Sequence, residues 1–376
     1  MNLDEIRKEI DGIDGKLLDL FAERMKLCEQ VAEYKAQNKM EIFQGGREQQ
    51  VLDNISGKSP QGLETASRLL FSQIMEISKC LQQQRITEFK SFECAEDIAA
   101  DPVIACPGIG GSYSEEACIK KFGEKARIEY YNTFEQVFMA VDSGNAVYGV
   151  LPIENSTAGS VDDTYSLLER YDVHICGRLS IPVNHVLAAK NKSEPKIVVS
   201  HRQALHQCSE FIKSRGYTTQ NADNTSIAAK SVSESLRNDT ACICSAHCAE
   251  LYGLEILADD IADSNENHTR FIIVSKELRV EENADVVSIC LSLPHISGSL
   301  YKLLTRFYFA GLNLTRIESR HMSPYIKKKA GTDGFEVVFY LDFEGSLTNA
   351  AVGKLLRNLE KDCGYYKLLG SYKDTN

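Results

Sequence analysis

No apolar run in this chain approaches the roughly 18 residues that a membrane-spanning helix requires. Basic charge is also short: 42 Lys and Arg stand against 53 Asp and Glu, a formal net charge of −11. That balance argues against a nucleic-acid binder and against a protein held to an anionic bilayer. The opening residues Met1-Asn2-Leu3-Asp4-Glu5 lack the basic and then apolar signature of an export signal. The 12 Cys are scattered, many of them within apolar patterns, as suits small hydrophobes in a reducing compartment. Together these absences predict a cytoplasmic protein. Any anionic ligand must then be held by locally placed Arg, Lys or helix N-termini.

Core material is ample. The 376 residues are 43% hydrophobic and 25% charged, ordinary for a globular protein. At about 150 residues per domain, that length suggests two or three domains. From Leu3 to about Asn38, apolar residues recur in alternating steps of three and four: Leu3, Ile6, Ile10, Ile13, Leu17, Leu20, Leu27, Val31 and Tyr34. The stripe predicts one continuous, proline-free helix about 54 Å long. Single domains rarely cover such a helix, so a partner chain is expected along it. Arg24 falls in the same stripe. A cation inside an apolar seam needs an anion, either a carboxylate side chain or a ligand.

Lys35 follows about 20° further around the helix, so it shares a face with Arg24. Gly45-Gly46 break the pattern. A short helix from Arg47 ends near Ser56-Gly57, and a third runs from after Pro60 to about Gln84. Ser78 and Gln82 share one face of that third helix. Residues 1–86 therefore read as an all-α unit. Arg7 and Arg47 add cations and Glu48 a carboxylate, although Lys35 or Glu48 alone would read as solvated surface charge.

Residues 87–100 are polar and aperiodic, as in a linker. Beyond them short β-like runs alternate with helical stretches over 101–277. The runs are Val103-Ile104-Ala105, Ala146 to Val150, Lys196 to Val199, Cys242 to Cys244 and Phe271 to Val274. This alternation predicts an α/β region long enough for two lobes. Within it, Gly108-Ile109-Gly110-Gly111-Ser112-Tyr113-Ser114 follows a strand and opens a helix. It lacks both G-x-G-x-x-G and the P-loop Lys, and it reads as a Ser-capped helix start able to receive a carboxylate. Cys242, Cys244, His247 and Cys248 lack zinc-pair spacing and read as core filling.

The last segment, 285–376, reads β-α-β-β-α-β, the ferredoxin-like split order. Its strands are expected at Val286–Leu293, Leu312–Glu318, Phe335–Phe343 and Tyr365–Leu369, and its helices at Ser299–Phe309 and Leu347–Asp362. The stretch His321 to Gly334, with Pro324, three consecutive Lys and two Gly, reads as a mobile loop.

Three resemblances attach chemistry to these units. Ile6-Arg7-Lys8-Glu9-Ile10, Leu17-Leu18, Glu23-Arg24, Val31, Lys35, Arg47-Glu48 and Ser78…Gln82 resemble the all-helical, type II chorismate mutases. That family forms an intertwined dimer around its long first helix. The resemblance implies that Arg7 of the partner chain, Arg24 and Arg47 hold two substrate carboxylates. Lys35 and Gln82 would face the ether oxygen, Glu48 the ring hydroxyl, and Ser78 would line the pocket. A Claisen rearrangement suits such residues, since it needs only a folded dianion and donors where negative charge grows. Gln44 stands where the family often has Asp.

Leu151-Pro152-Ile153-Glu154-Asn155-Ser156, Ser200-His201-Arg202-Gln203-Ala204-Leu205-His206-Gln207-Cys208, Asn224-Thr225-Ser226-Ile227-Ala228 and Asn267-His268-Thr269-Arg270-Phe271, together with Gly-Ser-Tyr-Ser, resemble prephenate dehydratase over about 101–277. That family implies two lobes like a type II periplasmic binding protein, with the site in the cleft. Thr269 would be the proton donor. Asn155, Ser200 and Gln207 would position prephenate, and Ser112, Ser114, Thr225 and Ser226 would contact its carboxylates or hydroxyl. Arg270 would neutralise a carboxylate or form a structural ion pair. Ile109 and Arg202 replace the family's usual Pro.

Gly298-Ser299-Leu300-Tyr301 and Glu318-Ser319-Arg320 resemble the ACT regulatory domain, which binds phenylalanine at a dimer interface; His321 replaces its usual Pro. The bland alternative is a dimerisation module. The whole chain is similar to the bifunctional P-protein family. That implies chorismate to prephenate to phenylpyruvate, feedback inhibition by phenylalanine, no metal or organic cofactor, and a homodimer or dimer of dimers. An amino-acid-responsive sensor without turnover is the alternative.

Overall fold

The computed structural model describes residues 2–38, 45–87, 92, 101–264, 266–331 and 337–375. Contacts divide the chain into two compact units. The first holds Met1–Phe92, Leu291–Arg320 and Glu336–Lys367; the second holds Glu93–Cys290, His321–Phe335 and Leu368–Asn376.

The first unit opens with three helices, α1 (Leu3–Gln37), α2 (Gly45–Lys58) and α3 (Glu64–Ile86). Asn2 starts α1 with a capping box: its side chain accepts from the Glu5 amide, and its own amide donates to the Glu5 carboxylate, both at 2.9 Å. These contacts satisfy donors that a helix start leaves open. The apolar stripe, however, is not buried within the chain. Leu17, Leu27 and Tyr34 are 53%, 57% and 62% exposed, and the other stripe residues are exposed with them. The side of α1 that meets α3 is a neighbouring stripe carrying buried Met25 and Ala32, with Cys28 and Lys35 half-covered. Arg24 is therefore half-buried at the edge of that contact rather than sealed in a seam. An α-helix can turn only part of its circumference toward one neighbour, and here α3 takes the stripe beside the longer apolar one.

The second unit begins with β1 (Val103–Pro107), α4 (Tyr113–Phe122), β2 (Arg127–Tyr131), α5 (Phe134–Asp142), β3 (Tyr148–Asn155), β4 (Gly159–Ser160), α6 (Asp162–Arg170) and β5 (His174–Pro182). It continues with β6 (Val186–Ala189), β7 (Ile197–His201), α7 (Arg202–Gln207), α8 (Ser209–Arg215), β8 (Thr218–Ala222), α9 (Thr225–Glu234), β9 (Thr240–Cys244), α10 (Ala246–Leu251), β10 (Glu255–Ala258) and β11 (His268–Ser275). One run of neighbouring strands is β5-β11-β3-β1-β2; a separate sheet is β10-β6-β9-β7-β8. The chain passes between these sheets twice, at β5 to β6 and at β10 to β11, so two lobes share a pair of connections. The two-lobed expectation holds in this respect. Cys242, Cys244 and Cys248 are fully buried with Val186, Ala188, Ala228 and Leu254, and so fill the core of one lobe.

The remaining elements are β12 (Val286–Ser292), α11 (Ser299–Phe309), β13 (Leu314–His321), α12 (Pro324–Ala330), β14 (Val337–Glu344), α13 (Ala350–Asp362), β15 (Tyr366–Tyr372) and β16 (Asp374–Thr375). The strand order β13-β14-β12-β15 is that of a split β-α-β arrangement. One expectation fails here. His321 to Gly334 is no plain loop: Ser323 caps α12, whose end at Gly331 takes the left-handed conformation. Pro324 occupies the first turn, where its missing N–H costs nothing, so a residue that suggested a loop instead starts a helix. Thr87, expected to open a linker, is buried and donates to Asn358 Oδ1 at 2.9 Å. Gln44 and residues 88–91 and 93–100 lie outside the described residues.

The C-terminus is tied into the second unit. Arg178 on β5 places Nε 3.1 Å and Nη2 2.5 Å from the two oxygens of Asp374, while β16 pairs with β5. Arg178 is 8% exposed. Replacing it with Ala leaves Asp374 without its cation, and we expect a loss of about 3 kcal/mol. Thermal unfolding of the variant is the measurement.

Candidate active sites

In the helical unit, α2 delivers Glu48 from its first turn to α3, where its Oε1 lies 2.7 Å from Lys79 Nζ. One residue before Lys79, Ser78 Oγ accepts from Gln82 Nε2 at 3.1 Å, and both side chains are buried. Of the expected mutase residues, Glu48 thus meets α3 at Lys79, while Ser78 and Gln82 bond to each other along that helix. Arg24 points Nη1 at Cys28 Sγ, 3.6 Å away, and Lys35 is half-buried on the same side. Arg47 is exposed. Arg7 is exposed and touches Asp4 only at 3.7 Å. It stands about 26 Å from Arg24 along the helix axis, too far for the two to hold one small molecule from a single chain.

In the second unit a cavity of about 580 Å³ opens where the lobes meet, lined by Thr157, His201, Gln203, Gln207 and Asn267 among others. One directed hydrogen-bond series passes through two of its lining residues, Gln207 and Thr157. Burial lowers the pKa of His185, partly offset by its bond to Gln207, so the ring is neutral near pH 7. Its Nε2 lies 3.0 Å from Gln207 Oε1; assigned from the surrounding network, that nitrogen carries the proton. Gln207 Nε2 donates to Thr157 Oγ1 at 2.5 Å, and Thr157 donates to Asn155 Oδ1 at 2.7 Å. Asn155 Nδ2 in turn donates to Thr269 Oγ1 at 2.9 Å. The register explains the meeting: Asn155 ends β3 directly opposite Thr269 on β11. Thr269 accepts from Asn155, so its own hydroxyl hydrogen is the one left to offer onward.

The other expected contacts lie apart from this series, at the helix starts of α4 and α9, on β7 and on β11. Ser112 caps α4, accepting from the Glu115 amide at 3.2 Å, and Ser114 follows on that helix. The Gly111 amide of the same loop is taken by Glu115 Oε2 at 2.5 Å, so that donor is already used internally. Gly111 has φ +82°, and an added Cβ would meet Cys248 Sγ at 2.9 Å. Only glycine fits that turn and that approach. Thr225 and Ser226 open α9 behind the Asn224 cap, and Ser226 Oγ is buried without a hydrogen-bond partner among the described residues. Ser200 Oγ donates to the Ile243 carbonyl at 2.7 Å and is fully buried. Arg270 takes the structural alternative, with Nη1 2.8 Å from Glu154.

Residues that sequence reasoning passed over complete the cleft. Gln203 Nε2 donates to Asn155 Oδ1 at 3.1 Å. Asn267, 3% exposed, lines the cavity, and its Nδ2 is buried with no hydrogen-bond partner among the described residues. Both lie inside the segments that carried the resemblance; nothing in their local pattern distinguished them from their neighbours. Arg202, a departure from the family pattern, brings a cation to the cavity lining.

In the C-terminal segment Gly298 takes φ +86° ahead of α11, and Ser299 Oγ donates to the Pro294 carbonyl at 2.7 Å. Leu300 follows in the first turn. Glu318 on β13 pairs with Arg316 and, at 2.8 Å, with Arg320; Ser319 between them is exposed.

Among the described residues no group of His, Cys, Asp and Glu is arranged to hold a metal ion, and no helix is long and apolar enough to cross a membrane.

Comparison with known proteins identifies the families to which both units are similar. The family model for chorismate mutase type II matches residues 6–83, and that for prephenate dehydratase matches residues 104–279. A bifunctional chorismate mutase/prephenate dehydratase of Aquifex aeolicus is 32% identical over 98% of this chain and 97% of its own. The solved prephenate dehydratase of Arthrobacter aurescens in complex with L-Phe is 27% identical, with a TM-score of 0.65 over 72% of this chain and 89% of that one. A solved protein described as a novel quorum quenching acylase is 29% identical, with a TM-score of 0.63 over 73% of this chain and 98% of that one. With both family models matched in order and a full-length relative above 30% identity, the chain belongs to the bifunctional chorismate mutase/prephenate dehydratase family.

Proposed function

We propose that this protein rearranges chorismate to prephenate in its helical unit and converts prephenate to phenylpyruvate in the cleft of its second unit. The observation that carries the second step is the directed series ending at Thr269. Prephenate loses its ring carboxylate as carbon dioxide; the electron pair left behind enters the ring, and the ring hydroxyl departs with a proton as water. Aromatisation drives the step, so a single oriented donor at the leaving oxygen suffices. Thr269 is that donor, Asn155 and Gln207 orient it, and Asn267 Nδ2 offers the substrate a buried amide hydrogen. Arg202, with His201 and His206, supplies a polar and partly cationic rim for the retained carboxylate. Ser112, Ser114, Thr225 and Ser226 form a second wall; Ser200 supports β9, and Arg270 fixes Glu154.

For the first step Arg24, Arg47 and the partner's Arg7 hold the dianion, Lys35 and Gln82 face the breaking C–O bond, Glu48 takes the ring hydroxyl and Ser78 lines the pocket. The exposed stripe of α1 and the reach of Arg7 support an intertwined homodimer. Leu17→Glu places a charge in that stripe. We expect monomers by light scattering and a mutase rate lowered about 10²-fold, with prephenate still turned over.

Gly298, Ser299, Leu300, Glu318, Ser319 and Arg320 belong to an ACT domain over 285–376 that binds phenylalanine and lowers activity. Residues 1–86, 87–100 and 101–277 are the mutase, linker and dehydratase. The unbridged cysteines suit a cytoplasmic setting. Purified protein supplied with chorismate tests the reading. Phenylpyruvate release supports it; tight binding of amino acids without turnover supports the sensor, and cleavage of acyl amides instead would align the chain with the acylase neighbour.

A further inference from the structure

Within the first unit, α3 also packs against α11 and α13. Arg306 on α11 places Nε 2.7 Å from Glu76 Oε1 and Nη1 2.7 Å from Asp362 Oδ2. Glu76 is 1% exposed. Its second oxygen lies 3.5 Å from Lys79 Nζ, and Lys79 lies 2.7 Å from Glu48. Five charged groups, Glu48, Lys79, Glu76, Arg306 and Asp362, thus form an unbroken series from the candidate mutase pocket into the C-terminal segment. Burial pulls the pKa of Arg306 down, but Glu76 and Asp362 outweigh it and raise it overall, so the guanidinium remains charged.

A buried carboxylate must keep a cation. Glu76 has Arg306 at 2.7 Å and Lys79 at a looser 3.5 Å, while Lys79 lies 2.7 Å from Glu48. Were Arg306 withdrawn, Glu76 would claim Lys79 fully, and Glu48 would lose its anchor. Arg306 lines a cavity of about 270 Å³ together with Cys80, Phe309 and Lys354. Neighbouring contacts hold the two segments together without it: Thr87 bonds to Asn358 at 2.9 Å, and Lys354 Nζ to the Gln84 carbonyl at 2.7 Å.

We propose that Arg306 is a positioning residue for the mutase, acting through Glu76 and Lys79 to fix Glu48, and that the C-terminal segment is coupled to the mutase site by this series. The proposal rests on the placement of Glu48 in the chorismate pocket.

The test uses the full-length protein and assays both activities separately, with chorismate and with added prephenate. Arg306→Met is expected to lower mutase kcat/KM about tenfold, with dehydratase kcat/KM within twofold of wild type. Arg306→Lys, which keeps the cation, recovers most of the loss. Lys79→Met shows a loss of similar size, and Arg306→Met combined with Lys79→Met is no worse than the poorer single variant, as for groups acting through one another. Glu76→Gln combined with Arg306→Met leaves no carboxylate to draw Lys79 from Glu48, and is expected to keep mutase kcat/KM within twofold of wild type; it also keeps the test alive if Arg306→Met alone does not fold. The proposal is overturned if mutase kcat/KM of Arg306→Met stays within twofold, if both activities fall together, if the losses of Arg306→Met and Lys79→Met multiply, or if the Glu76→Gln double variant loses tenfold. Glu48→Gln separates the underlying reading: if it leaves the mutase intact, the pocket is misplaced, whereas a deleterious Glu48→Gln with a silent Arg306→Met removes only the coupling.

Discussion

Thr269→Val lowers phenylpyruvate formation from prephenate by about 10³-fold, the range for losing a positioned proton donor. Valine keeps the β-branched shape that suits a strand. β11 therefore pairs as before with β3 and β5, and the change removes only the hydroxyl. Asn155 Nδ2 keeps acceptors on Asn267 Oδ1 at 2.9 Å and on the His268 carbonyl at 3.2 Å, so no buried donor is stranded. The loss is therefore expected in kcat, with stability nearly unchanged by thermal unfolding. Mutase activity, measured as chorismate consumption, stays at the wild-type level. Unaltered phenylpyruvate output would remove Thr269 from the reaction.

Arg24→Ala lowers the rate of chorismate rearrangement by about 10³-fold, and added prephenate is still converted at the normal rate. Among the described residues Arg24 has one hydrogen-bond contact, the weak acceptor Cys28 Sγ at 3.6 Å. A half-buried guanidinium so poorly satisfied is available to a carboxylate, and a bidentate pair there would orient the substrate. A charge-stabilising donor of this kind is worth about 10²- to 10³-fold, and the loss of substrate orientation adds to it. Chorismate disappearance followed by absorbance checks the result; a normal rate would place the pocket elsewhere.

Much of the architecture was legible because it rests on short-range rules. The helices of 1–86 follow from apolar steps of three and four and the glycine break at Gly45-Gly46, and the serine-capped helix start after Gly111 is present in the structure, with Ser112 as the cap. The strand that carries Thr269 is a β-branched apolar run. β8 was invisible for the opposite reason: Thr218-Thr219-Gln220-Asn221-Ala222 is a mostly exposed edge strand, with no buried face to impose an alternation. α12 was missed because Pro and Lys side chains signal loops until a serine cap and a glycine stop are seen together. Arg24 was read as sealed, since a stripe shows which face is apolar but not which neighbour covers it.

The sequence by itself determined most of the elements and the order of the two enzyme units, because backbone preference, capping and apolar period act within a few residues. Only the tertiary structure decided which polar groups meet. Thr269 faces Asn155 across a strand pair, and Arg306 reaches Glu76 over a separation of 230 residues. Such pairings depend on how whole elements pack, and the residues between the partners carry no trace of them.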